Sequence, residues 1–204
     1  MESSHRRPRA DAVRNVERLA GAARDVYVEQ GPGAPLEEIA RRANVATSTL
    51  FRHFPDRQAL IRAALQQTYA VRLASELERC KADDNPRRAL VDALEAAMGL
   101  VSSEHALLIA ASEAGLQAVE AGSELAETVI ELARRAQDAG AVRDDLVPED
   151  IPRILMMLVS VHATMAPNSD GWRRYLALML DAIAPRQTHP LPPPVPFVRP
   201  AMRV

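Results

Sequence analysis

The sequence has one cysteine, Cys80, and aromatic residues make up only 3% of its 204 positions. A lone cysteine excludes an internal disulfide and makes a reducing cytoplasm the natural compartment. No stretch of about 18 apolar residues runs without a charge or a break, so no membrane span is read. Residues Met1 to Arg9 are polar and basic with no apolar run behind them, unlike a secretory signal. No glycine-rich phosphate loop, nucleophile elbow or His/Cys metal spacing is present. The five histidines, His5, His53, His105, His162 and His189, lack ligand-like spacing. The acidic pairs Glu37-Glu38 and Asp83-Asp84 are of the kind that suits helix starts and loops. These absences argue against an enzyme and imply neither a cofactor nor a metal.

Charge is unevenly spread. The net charge is −2, which alone argues against nucleic acid. Residues 1–60, however, carry ten Arg against eight Asp and Glu, while residues 61–204 carry fifteen Lys and Arg against nineteen acids. The N-terminal portion is the more basic part.

The dominant periodicity is helical, and no segment alternates as a strand does. Ala12, Val16, Leu19, Ala23, Val26 and Tyr27 mark a first helix over about 11–30, ended by Gly31-Pro32-Gly33. Short helices follow over about 35–43 and 47–53. Pro55 stops the third, and Asp56 can cap a long fourth helix over about 56–81. Asp83-Asp84-Asn85-Pro86 is a break and a cap. Further helices are predicted at about 86–101, 104–116, 121–139, 148–165 and 171–183. This makes an all-α chain of about nine helices. The last twenty residues, 185–204, hold seven prolines and read as a disordered tail.

The segment Leu36 to Pro55, LEEIARRANVATSTLFRHFP, has the residue types that two short helices in a tight turn require. Ala40 is small enough to let the helices approach. Asn44 stands where the backbone must turn left-handed, a conformation Asn tolerates second only to Gly. Ile39, Val45 and Leu50 supply apolar contacts. An ordinary helical hairpin is the alternative reading of this spacing.

Residues from about Asp11 to Leu65 resemble the DNA-binding domain of the TetR family of regulators. The family pattern IA-x-x-A-G-V-S-x-x-T-L-Y-x-H-F-x-x-K-x-x-L is matched here by IARRANVATSTLFRHFPDRQAL. The resemblance implies a helix-turn-helix domain over 11–58 and a helical regulatory and dimerisation domain over 59–184. It further implies that Arg42, Thr47, Ser48 and Thr49 approach base edges and nearby phosphates, and that Phe51, His53 and Arg57 contact backbone phosphates. Helical phase places Thr47, Ser48, Phe51 and Arg52 on the solvent side of the third helix, with Leu50 and Phe54 inward. Residues 1–10 form a basic arm in which Arg6, Arg7 and Arg9 can reach phosphates or a minor groove.

Several positions depart from the pattern. Asn44 replaces Gly, and Ala46 replaces a capping Ser or Thr. Pro35 stands where a Thr often caps and touches phosphate. Phe51 replaces Tyr and loses its hydroxyl. Each loss is worth about 1 kcal/mol.

The helix beginning near Pro148 is apolar almost all round, as expected of a helix covered on both sides. Ile154, Leu155, Leu158 and His162, with Trp172, Tyr175, Leu176 and Met179 of the final helix, are expected to form a four-helix interface across a two-fold axis, as the family does. A homodimer implies double-stranded DNA with a palindromic operator as partner. A small-molecule effector pocket is expected among Met98, His105, Ile109, Ser112, Met157, Val161 and Met165, with room beside Gly99 and a mostly apolar ligand. The sequence therefore reads as a cytoplasmic, homodimeric, ligand-released repressor. Two alternatives stand beside it: a helical interaction protein whose DNA binding has decayed, and a regulator with no ligand.

Overall fold

A computed structural model of the chain describes residues 6–116, 123–166, 169–185 and 189–195. Ten α-helices and no strand occur among them: α1 Arg6–Gln30, α2 Leu36–Arg42, α3 Thr47–His53, α4 Arg57–Arg72, α5 Ala74–Ala82, α6 Pro86–Ser103, α7 His105–Glu113, α8 Ser123–Asp138, α9 Asp150–His162 and α10 Trp172–Ala182. The chain divides into two compact units, residues 1–71 with 106–121, and residues 72–105 with 122–204.

The tenth helix arises from a break in the expected 56–81 helix. Leu73 leaves regular helical geometry at φ −118° and separates α4 from α5. The sequence gives no warning there. Tyr69, Leu73, Leu77 and Cys80 keep helical spacing across the break and all are buried. Helix α1 starts at Arg6, earlier than the expected Asp11.

In the first unit, helix stripes converge on one apolar core. Leu19, Ala23, Val26 and Tyr27 of α1 meet Ile39 and Ala40 of α2, Leu50 of α3, and Leu60, Ile61 and Ala64 of α4. Burying each large side chain contributes roughly 1.5–3 kcal/mol. Leu107, Ala110 and Ala111 of α7 join the same core. The first unit thus takes in α4 to Val71 and α7, elements expected to lie in the regulatory domain.

In the second unit, α6 packs against α5, α8, α9 and α10. Its buried stripe, Ala89, Leu90, Ala93, Leu94, Ala97 and Met98, is half alanine, which lets neighbouring helices approach closely. Asn85 caps it, its Oδ1 accepting the Arg88 N–H at 3.0 Å, and Pro86 occupies the first helical turn. Within the loop after α8, Gln137 Nε2 lies 2.9–3.0 Å from the carbonyls of Arg143, Asp144 and Leu146. The tail differs from expectation. Residues 189–195 form neither helix nor strand and are tied to this unit, with the Leu191 N–H donating to Asp145 Oδ2 at 2.7 Å.

Among the described residues, no single helix is long and apolar enough to cross a membrane.

Candidate nucleic-acid interface

The turn between α2 and α3 is built on Asn44. Its φ is +52°, the sole non-glycine in the left-handed region among the described residues. Two hydrogen bonds close the end of α2: Val45 N–H to the Ala40 carbonyl at 3.0 Å, and Asn44 N–H to the Arg41 carbonyl at 3.1 Å. This 6→1 and 5→2 pair satisfies two carbonyls that a helix end would orphan. Arg18 of α1 also reaches the Asn44 carbonyl at 3.4 Å. Ala40 and Ile39 are buried beneath the turn, so α3 seats directly on α2.

Leu50 and Phe54 point α3 inward and are buried. The opposite side presents Ser48, Phe51 and Arg52, all exposed, flanked by half-buried Thr47 and Thr49. Phe51 is 47% exposed, an unusual position for a ring with no polar atom. Arg52 has no ion-pair partner among the described residues. The face therefore combines a hydroxyl, an apolar ring and a cation, and one short helix of this kind fits the width of a major groove.

Other expected contacts are occupied within the chain. Arg42 donates both guanidinium arms to Glu29 of α1, at 2.9 and 2.5 Å. That arginine holds the Glu29 carboxyl below its ordinary range. Arg57 donates to the Tyr27 hydroxyl and the Pro32 carbonyl, each at 3.2 Å. It pins the α1–α2 turn, and is half-buried rather than free. Burial pushes the Tyr27 hydroxyl up, while Arg57 opposes the shift. The His53 ring is half-buried, its Nε2 enclosed without a hydrogen-bond partner among the described residues. Neither Pro35 nor Ala46 offers a side-chain cap to α2 or α3. The backbones of Arg6, Arg7 and Arg9 belong to the first turns of α1, and their side chains lie outside the described residues.

Family models match both parts of the chain. "Bacterial regulatory proteins, tetR family" matches residues 19–64, and "Transcriptional regulator SbtR-like, C-terminal domain" matches residues 85–185. A TetR regulatory protein from Mycobacterium vanbaalenii is 31% identical, over 86% of this chain and 98% of that one, with a TM-score of 0.55. The chain belongs to the TetR family of transcriptional regulators. A TetR regulator from Streptomyces coelicolor is 28% identical over 84% of this chain and 99% of that one, with a TM-score of 0.55. A ketosteroid transcriptional regulator of Mycobacterium tuberculosis shares the fold at 16% identity, over 82% and 94% of the two chains, with a TM-score of 0.60. No curated protein sequence matches. Residues 36–53 are thus the helix-turn-helix of a DNA-binding unit, and TetR regulators are in general not enzymes and are typically dimers.

Most of the expected dimer residues face the interior of their own chain. Ile154, Leu155, Leu158, His162, Trp172 and Leu176 are buried inside their own chain. A side chain already covered at home has no surface left for a partner. Of the eight, Tyr175 is exposed and Met179 is half-buried. The large apolar side chains that α9 and α10 leave exposed are Met157, Tyr175 and Leu178, between 41% and 55% exposed. Helix α9 carries two apolar stripes, and the one assigned to the partner is the one that faces the core.

The expected effector residues are distributed over both units and differ in exposure. Met98 is fully buried, while Met157 and Ser112 are exposed. Ile109 and Ser112 belong to the first unit. Val161, Met165 and His105 are half-buried. His105 and the buried His162 stack edge to face with ring centroids 5.4 Å apart, a contact invisible to sequence spacing. The second unit has an open groove of about 370 Å³ elsewhere, along α5, α6 and α10. Arg72, Glu76, Asp92, Glu95 and Arg173 line it, with Gly99 at its wall. Arg72 pairs there with the buried Glu104. Half of the residues that line this groove are thus charged.

Proposed function

We propose that the chain is a homodimeric, cytoplasmic repressor that binds a palindromic operator through α3 and is released by a small-molecule effector in its second unit. One observation carries the reading: Ser48, Phe51 and Arg52 stand exposed on a helix whose other side, Leu50 and Phe54, is locked into the core. A rigidly seated helix can be aimed, and aim is what groove reading demands. In this reading Ser48, with Thr47 and Thr49, touches base edges. Arg52 and the backbone of α3 set register on phosphates. Arg42 takes part once Glu29 releases it, and Arg6, Arg7 and Arg9 add phosphate contacts from the start of α1. Arg57 and His53 act chiefly by holding the turn and α3 in place. The outward patch of Met157, Tyr175 and Leu178 supports self-pairing, and a two-fold axis makes the operator palindromic.

The occupied Arg42 and the two uncapped helices favour a second reading, in which the fold persists and DNA binding has decayed. Titrating the ligand-free protein with DNA from upstream of its own gene at several salt concentrations separates the two. The repressor reading expects affinity to fall steeply and log-linearly with salt. No binding even at low salt would leave the decayed reading standing. Thermal shift against polar and apolar metabolites tests the effector, since a ligand of the folded state raises the melting temperature.

A further inference from the structure

The proline-rich tail is seated by charged groups far away in sequence. The Arg143 guanidinium donates to the His189 carbonyl at 3.2 Å. Asp145 Oδ2 accepts the Leu191 N–H at 2.7 Å, and Arg153 donates to the Val195 carbonyl at 3.0 Å. These contacts join residues 46, 46 and 42 positions apart. All three address the tail's backbone. The side chains of 189–195 are exposed, including Leu191 and Val195.

The tail's composition suits this arrangement. Four of the seven residues 189–195 are proline. Proline fixes φ and favours an extended left-handed helix of three residues per turn, in which carbonyls 189, 192 and 195 would share one edge. Six residues at about 3.1 Å each then separate the two arginine-bound carbonyls by roughly 19 Å. Leu191 is the one non-proline residue between His189 and Val195, and its N–H is the donor that Asp145 takes. The receiving side is stiff. Arg143 holds Asp145 bidentately at 2.5 and 2.9 Å, Gln137 fastens the loop carbonyls, and the Arg143 N–H donates to the Ile183 carbonyl at 2.9 Å. Arginine and the Leu191 N–H together hold the Asp145 carboxyl down at about 2, so it accepts as a full anion. A stiff site and a pre-extended strand both reduce the entropic cost of docking.

We infer that Arg143, Asp145 and Arg153 form a recognition site for an extended, proline-rich polypeptide, with residues 189–195 as its resident occupant. The site reads backbone carbonyls at a fixed spacing and one N–H between them. Another chain's segment with proline on either side of one free N–H presents the same groups. Because the resident is tethered, its effective concentration reaches the millimolar range for a short linker, and an outside strand must displace it.

Hydrogen exchange of the Leu191 amide in the full chain is the direct test. Exchange should be slower than in a free HPLPPPV peptide by about tenfold or more, the effect of one hydrogen bond to a charged group. Asp145→Ala should return it to the peptide's rate. A Leu191 amide that exchanges at the peptide's rate in the unaltered protein overturns the inference. As a second arm, a fluorescent HPLPPPV peptide is titrated against Leu191→Pro protein, whose own tail lacks the donor. It should bind that protein and bind at least about tenfold more weakly once Asp145→Ala is added. Equal binding to both, or binding to neither, also overturns it.

Discussion

The two units bury their helices by different means. The DNA-binding unit uses large side chains, Tyr27, Ile39, Leu50, Phe54, Leu60 and Ile61, clustered around one strained turn at Asn44. The regulatory unit uses an alanine-rich central helix, α6, and leaves Met157, Tyr175 and Leu178 uncovered. In the first unit, local backbone chemistry decides which side chains face out. In the second, two nearly equivalent apolar stripes compete for the core. Burial alone chooses between them, and the loser is left exposed.

The comparison breaks most readily at Leu50. Leu50→Ala should destabilise the DNA-binding unit by about 2–5 kcal/mol, because it leaves a cavity under α3, and operator binding should fall with it. Leu178→Ala removes a side chain of similar size from the exposed patch and should change unfolding by no more than about 0.5 kcal/mol. Its effect should appear as weaker self-association in sedimentation equilibrium. Urea melts of both variants check the pair, and comparable losses of stability would erase the distinction between the two faces.

Arg52→Ala should lower operator affinity by about tenfold or more, the worth of a charge-assisted contact, and reduce the salt slope by about 1. Thermal stability should be untouched, since Arg52 is exposed. Asn44→Ala forces a Cβ-bearing residue without a polar side chain into the left-handed region and should cost about 1–2 kcal/mol. Asn44→Gly should match or exceed the parent, as a denaturation midpoint can show.

A smaller effect distinguishes the regulatory unit. Burial, and then the neighbouring His105, push the His162 imidazole below its ordinary pKa. Its folded state therefore favours the neutral ring, and the unfolded chain binds the proton more readily. Stability is fully present above the unfolded pKa, about 6.5, and declines as pH falls from there toward the lower folded pKa. His162→Phe should flatten that part of the stability curve in melts between pH 5 and 7.5.

Much of this molecule is legible in its residues, for reasons that are local. Gly31-Pro32-Gly33, Asn44, Pro55, Asp56 and Asn85 each impose a backbone conformation or a cap, and the elements they bound lie where expected: α3 spans Thr47–His53, and Asp56 Oδ1 accepts the Ala59 N–H at 2.7 Å. The exposed face of α3 follows from the phase of Leu50. The unread features all depend on distant partners. Leu73 breaks a helix while preserving its apolar spacing. Arg42 and Arg57 resemble free cations until α1 supplies Glu29 and Tyr27. Both stripes of α9 are apolar, so periodicity cannot rank them. The tail's prolines announce an extended chain, but Arg143, Asp145 and Arg153 hold it from more than forty positions away.

Footprinting of the ligand-free protein on DNA upstream of its own gene tests most directly whether α3 of two subunits reads one duplex. The account predicts two symmetric protected patches on one face of the duplex, one helical turn or a multiple apart, with the Arg52→Ala protein needing higher concentrations to give the same pattern. A single unpaired patch, or protection indifferent to Arg52, would contradict it.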